Sequence, residues 1–145
     1  MKINVYSGDL PARVKLGDSV AIDSETMGLN PKRDKLCLIQ LSKGDGNCHL
    51  VKINLEEKKP LNIIKILKDN KIKKIFHYAR FDLAIIKKFL GVEIKNMFCT
   101  KIASKLVRTY TDKHGLKELC KEMLNVDLNK SSQSSDWSVG EQKNN

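Results

Sequence analysis

At 145 residues, with 41% hydrophobic and 30% charged side chains, the chain reads as one soluble globular domain large enough to bury a real core. No apolar stretch approaches the length needed to span a bilayer, and Met1-Lys2-Ile3-Asn4-Val5 lacks the apolar segment of a secretory leader. A membrane partner is therefore excluded and a cytoplasmic location expected. The formal charge of +10 points to a polyanionic partner, nucleic acid first, although only 4 of the 27 basic residues are Arg, the side chain suited to bidentate phosphate contact.

In chain order, Ile3 to Tyr6 reads as a short strand ended by Gly8-Asp9 and Pro11. Val20 to Asp23 is the first clear strand, and Gly28 with Asn30-Pro31 marks a loop. Leu36-Cys37-Leu38-Ile39-Gln40-Leu41 is a second apolar run of strand length. Lys43 to Asn47 has hairpin-loop composition, so His49 to Ile53 is expected to return antiparallel to it. Pro60 opens a helical spacing of Leu61, Ile64 and Leu67 that Asn70 closes. Lys74 to His77 reads as a strand and residues 80–90 as a helix stopped by Gly91. Ile94 to Phe98 reads as a further short strand, and Thr100 as the cap of a helix carrying Ile102 and Leu106. Leu116, Leu119, Cys120, Met123 and Leu124 outline the last amphipathic helix, after which the composition turns to Ser, Gln and Asn around Trp137. Strands first, then alternating helices and strands, predict an α/β domain with a mixed sheet flanked by helices, without internal repeats or a second domain. The four cysteines, at 37, 48, 99 and 120, form no C-x-x-C pair and are expected to be reduced and mostly buried.

Two places carry chemistry. The apolar run Val20-Ala21-Ile22 ends in Asp23-Ser24-Glu25, and because strand side chains alternate faces, the two acids point the same way. Close carboxylates resist joint ionisation unless a hard cation such as Mg²⁺ or Mn²⁺ lies between them. A strand running out into a solvated acidic loop has the same sequence, so both readings stand at this point. Asp82, in His77-Tyr78-Ala79-Arg80-Phe81-Asp82, falls in the first turn of a helix, where an ordinary dipole-favoured Asp also belongs.

Taken together, Asp23 to Leu29 resembles the first motif, and His77 to Asp82 the second, of the four-acidic-residue 3′→5′ exonucleases. The intervening Arg33 to Leu41 and Lys74 to His77, and the later Ser134-Ser135-Asp136-Trp137-Ser138, resemble ribonuclease D in particular. The resemblance implies a ribonuclease-H-like exonuclease fold acting on RNA 3′ ends in preference to DNA, as in tRNA and structured-RNA processing. It also implies two divalent cations, Mg²⁺ or Mn²⁺, held by Asp23, Glu25 and Asp82, with Asp23 bridging and Asp82 acting through water. By the same resemblance Thr26 and Leu29 touch the terminal nucleotide, and His77, Tyr78 and Phe81 line its path.

The family's third motif, Tyr-x-x-x-Asp or His-x-x-x-Asp on a helix after the tryptophan, is not found between Gly140 and Asn145. The resemblance therefore implies a single exonuclease domain, residues 1–145, incomplete at its C-terminal side, without helical RNA-binding domains and with apolar surface left uncovered. Three readings follow: an exonuclease completed by a complementing C-terminal segment, a non-catalytic nucleic-acid-binding relative, or a basic interaction module.

Overall fold

The computed structural model describes residues 1–28 and 34–128. Its strands are β1 (Lys2–Ser7), β2 (Ser19–Thr26), β3 (Leu36–Ser42), β4 (Asn47–Lys52), β5 (Lys73–Phe76) and β6 (Met97–Cys99). Its helices are α1 (Leu61–Lys68), α2 (Ala79–Leu90), α3 (Thr100–Val107) and α4 (Leu116–Leu124). The strands form one mixed sheet in the order β1-β4-β3-β2-β5-β6. β2, β3 and β4 run antiparallel as consecutive neighbours, whereas β1 pairs with β4, and β5 with β2 and β6, in parallel. Parallel pairs need crossovers, and α1 and α2 supply them for β5 and β6.

The burial pattern explains the placement. β3 reads as a continuous apolar run because Leu36, Cys37, Leu38 and Ile39 are all buried, as expected of a strand in mid-sheet. β2 alternates: Val20, Ile22 and Ser24 are buried, while Ala21 and Asp23 are exposed. Val20, Ile22, Ile39, Leu41 and Val51 from the sheet join Ile63, Leu67, Ile85 and Ile86 from α1 and α2 in one core. The face of β2 bearing Asp23 is thus the one turned away from that core.

Several joints are built by residues distant in sequence. Pro60 stands at the N-cap of α1 and caps nothing with its side chain; the buried Asp9 does so, its carboxylate accepting from the N–H groups of Asn62 (2.9 Å) and Ile63 (3.2 Å). α2 ends where Gly91 turns left-handed at φ 68° and its N–H reaches the Lys87 carbonyl. The fully buried Lys74 donates its ammonium to the carbonyls of Asp69 and Lys95 (2.7 Å for the second), tying the end of α1 to the segment before β6. Burial lowers its pKa from the ordinary lysine value, against the opposing charge of Asp69. Lys74→Met leaves both carbonyls without this donor and is expected to cost about 2–4 kcal/mol in urea unfolding; a loss below about 0.5 kcal/mol would show that the carbonyls find water instead.

Two sequence expectations are corrected. The sixth strand is Met97–Cys99 rather than Ile94 to Phe98, because Lys95 gives its N–H to Leu67 of α1 and Asn96 adopts a left-handed φ of 54°. Thr100 does not cap α3: Cys99 holds the N-cap position, and the Thr100 hydroxyl donates across to the Phe76 carbonyl at 3.1 Å. The remaining predicted strands and helices are present with shifted ends, and the mixed α/β class holds. None of the four cysteines is in a disulfide; Cys37 and Cys99 are buried, Cys48 and Cys120 half-buried. α3 and α4 leave Leu106, Val107, Met123 and Leu124 exposed. No helix among the described residues is long and apolar enough to cross a membrane.

Candidate active site

The site forms where β2 outruns its neighbour. β5 pairs with β2 only over Ser19 to Ala21, so beyond that point this edge of β2 has no strand partner. α2 fills the gap. Its Asp82, 2% exposed, accepts the Ser24 backbone N–H at 3.2 Å through Oδ1, and the Ser24 hydroxyl donates to the same oxygen. A buried backbone donor must be satisfied, and here a carboxylate does what a strand carbonyl does elsewhere. Asp23 and Glu25 flank Ser24 on the opposite side of the strand, before the register shifts between Glu25 and Thr26.

The three acids feel one another. Burial pushes the Asp82 carboxyl up to about 7; the Ser24 hydrogen bonds pull it down, while the charges of Asp23 and Glu25 push it further up. Glu25 is raised by burial and then by Asp23. Asp23 is raised by the protein around it, partly offset by a hydrogen bond from the Ser24 backbone. Mutually repelling oxygen ligands at one point suit a hard divalent cation, so the donor set fits the Mg²⁺ or Mn²⁺ that the resemblance implies. Among the described residues, however, no three of the His, Cys, Asp or Glu side chains already form a group able to hold an ion. Ser24 engages the Asp82 oxygen instead.

Asp23 opens into a cavity of about 650 Å³. Its lining includes Ala21, Gln40 and Ser42 of the sheet, His77 and Tyr78 before α2, Thr100 and Lys101 of α3, and Gly115, Leu116 and Lys117 at the start of α4. Because the Thr100 hydroxyl is spent on Phe76, His77 donates Nδ1–H to Thr100 Oγ1 at 2.9 Å, which leaves Nε2 as an acceptor. Burial, and then the charge of Lys101, lower the His77 pKa below its ordinary value. Tyr78 is half-exposed and holds a left-handed φ of 58° at the N-cap of α2. The Lys101 ammonium lies 4.2 Å from its ring centroid.

The structure thus brings Asp23, His77 and Tyr78 to one cavity, with Glu25 and Asp82 electrostatically joined to Asp23. Thr26 is half-buried beside them and donates its hydroxyl to the Gly28 carbonyl. Phe81 is partly buried against the core. Leu29 lies outside the described residues, as do Arg33, the tryptophan segment and the end of the chain. Sequence reasoning gave no site role to Ser24, Thr100, Lys101 or Lys117. Only Ser24 left a trace there, as the polar residue on the inward face of an otherwise apolar strand.

A mixed sheet whose central strand carries paired acids, met at its end by an acid from α2, is the arrangement of a ribonuclease-H-like exonuclease. Comparison with known proteins agrees: residues 7–145 match the 3′-5′ exonuclease family, and the chain belongs to that family. It is similar to the structure of Brucella melitensis NrnC with bound Mg²⁺, with 49% identity and a TM-score of 0.90 over 99% of this chain and 70% of that one. It is also similar to the structure of Escherichia coli RNase D, an exoribonuclease involved in structured RNA processing, with 26% identity and a TM-score of 0.69 over 87% of this chain and 33% of that one. Bartonella henselae ribonuclease D is 30% identical over 142 residues, covering 95% of this chain and 34% of that protein. The chain therefore spans about a third of the length of the curated ribonuclease D relatives it matches.

Proposed function

We propose that this domain removes nucleotides from RNA 3′ ends by metal-assisted phosphodiester hydrolysis, with two divalent cations, Mg²⁺ or Mn²⁺, and RNA preferred over DNA. The observation carrying this reading is the electrostatic union of Asp23, Glu25 and Asp82 at the end of β2, in a chain of the 3′-5′ exonuclease family. Asp23 and Glu25 would hold the cations, and Asp82 would help through water. Bound there, the ions supply a lowered pKa for the attacking water and charge stabilisation at the leaving 3′ oxygen. The residues around them do the rest: His77, Tyr78 and the outer sheet face shape a cavity that receives the strand end, while Ser24 fixes the Asp82 carboxylate. Thr26, Leu29 and Phe81 are assigned to contacts with the terminal nucleotide.

The choice of RNA, including tRNA and structured-RNA ends, rests on the ribonuclease names of the relatives. A structure of Brucella melitensis NrnC bound to pGG, 51% identical to this chain, supports a short 5′-phosphorylated strand as a substrate. A complementing C-terminal segment bearing Tyr-x-x-x-Asp is part of this reading, since that motif orients the attacking water in the family. The test is a 5′-labelled oligoribonucleotide incubated with Mn²⁺. A ladder shortening from the 3′ end, stopped by EDTA and restored by excess Mn²⁺, is expected, and a DNA strand of the same sequence shortens more slowly. If neither this chain nor one continued through a Tyr-x-x-x-Asp helix shortens RNA, the enzyme reading falls. One observation favours a binding-only relative: Asp82 is engaged by Ser24, and no group of three potential ligands is formed among the described residues. That reading predicts salt-sensitive RNA affinity without any ladder.

A further inference from the structure

We propose that Lys101, assisted by Lys117, holds a backbone phosphate of the strand in front of Asp23. The inference deepens the nuclease reading and rests on it. Both lysines line the same cavity as Asp23: Lys101 from the first turn of α3, Lys117 from the start of α4. Neither has a carboxylate partner among the described residues. In a site whose reacting end gathers three acids, a substrate that is itself a polyanion needs compensating positive charge nearby. These two ammonium groups are the lysines that the described cavity offers.

Lys101 is also placed with some definition. Its ammonium sits 4.2 Å from the Tyr78 ring centroid, a cation–π contact that limits where a flexible side chain points. Tyr78 is in turn fixed at the N-cap of α2, three residues after Ile75 of β5 and four before Asp82. Burial and the charge of Lys101 both disfavour the cationic form of His77, next to Tyr78. Arg108, by contrast, is buried and occupied by Ser104, the Lys113 carbonyl and Glu122, and therefore serves the α3–α4 joint. The aromatic face and the ammonium together present a surface for one nucleotide: ring for base or ribose, charge for phosphate.

The experiment measures binding of a 5′-fluorescein-labelled oligouridine pentamer to the intact chain across a salt series, with Ca²⁺ replacing Mn²⁺ to keep the strand whole. Each phosphate contact on a single strand contributes about 0.7 to the slope of log K against log salt. Lys101→Ala is expected to weaken pentamer binding and lower the slope magnitude, and adding Lys117→Ala brings the loss to about 0.7 in all, the share of one phosphate. Lys101→Arg retains the slope. Lys105→Ala, exposed on the same helix and absent from the cavity wall, leaves it unchanged. If wild type binds and Lys101→Ala keeps the wild-type slope, the phosphate assignment is wrong while the nuclease reading survives. If wild type binds no pentamer at low salt, both fall together.

Discussion

Asp23→Ala is expected to remove Mn²⁺-dependent shortening of an RNA 3′ end, a loss of about 10³-fold or more. The acid is the one member of the trio that faces the cavity directly, and its two neighbours are raised by its charge. Deleting it takes away a proposed ligand and at the same time relieves the repulsion that makes a cation favourable there. Mn²⁺ affinity, read by calorimetry, is expected to fall about 10- to 100-fold. Stability in EDTA is expected to stay level or rise, because an exposed carboxylate whose ionised form is disfavoured by desolvation supports no packing. Retained shortening with unchanged Mn²⁺ affinity would place the nuclease centre elsewhere in the molecule.

Asp82→Asn has a larger consequence for stability than for fold. Asn keeps an oxygen for the Ser24 N–H and hydroxyl but removes a carboxyl whose folded pKa is about 7 against an ordinary 3.8. The sign follows from proton counting. Between those two values the folded wild type holds a proton that the unfolded chain has released, so folding is favoured on the acid side and stability falls as pH rises through about 7. The gap corresponds to at most about 4 kcal/mol. In EDTA, the stability of Asp82→Asn relative to wild type is therefore expected to climb by up to that amount between pH 4 and pH 8. Saturating Mn²⁺ shrinks the difference, since a cation offsets the buried charge, and shortening by the variant drops about 10²-fold. Parallel stability curves for variant and wild type in EDTA would show that Asp82 ionises freely.

These two outcomes separate a residue kept for packing from one kept for chemistry. A buried acid that costs stability at neutral pH, hydrogen-bonded to the strand that carries two more acids, has no structural benefit that Asn does not supply. Lys74 is the opposite case. It is equally buried, but its ammonium joins two segments through their carbonyls, and nothing near it resembles a substrate path.

The placement of Asp23 and Glu25 on one face, the strand and helix succession, and the acid at the start of α2 were all legible from the chain. Local rules decide them: a period of two in strands, a period of 3.6 in helices, glycine at the left-handed end of α2. Motif order then supplied the family, which the comparisons bear out. The long-range joints were not legible. Asp9 capping α1 from 53 residues away, and Thr100 turned to Phe76 and His77 instead of capping its own helix, depend on which segments become neighbours. Ser24 clamping Asp82 depends on β5 stopping short of β2, a mismatch of strand lengths that no window of sequence contains.

Sequence alone therefore determined the identities of the acids, their shared strand face and the chain's kinship with 3′-5′ exonucleases, because strand alternation and motif spacing act over a few residues. Tertiary structure alone decided that the third acid is dry, that its proton leaves near pH 7, and that two lysines from later helices line the same cavity as Asp23. Dielectric, charge and hydrogen-bond supply at a point in space come from whatever segments converge there, and convergence is a property of the folded chain.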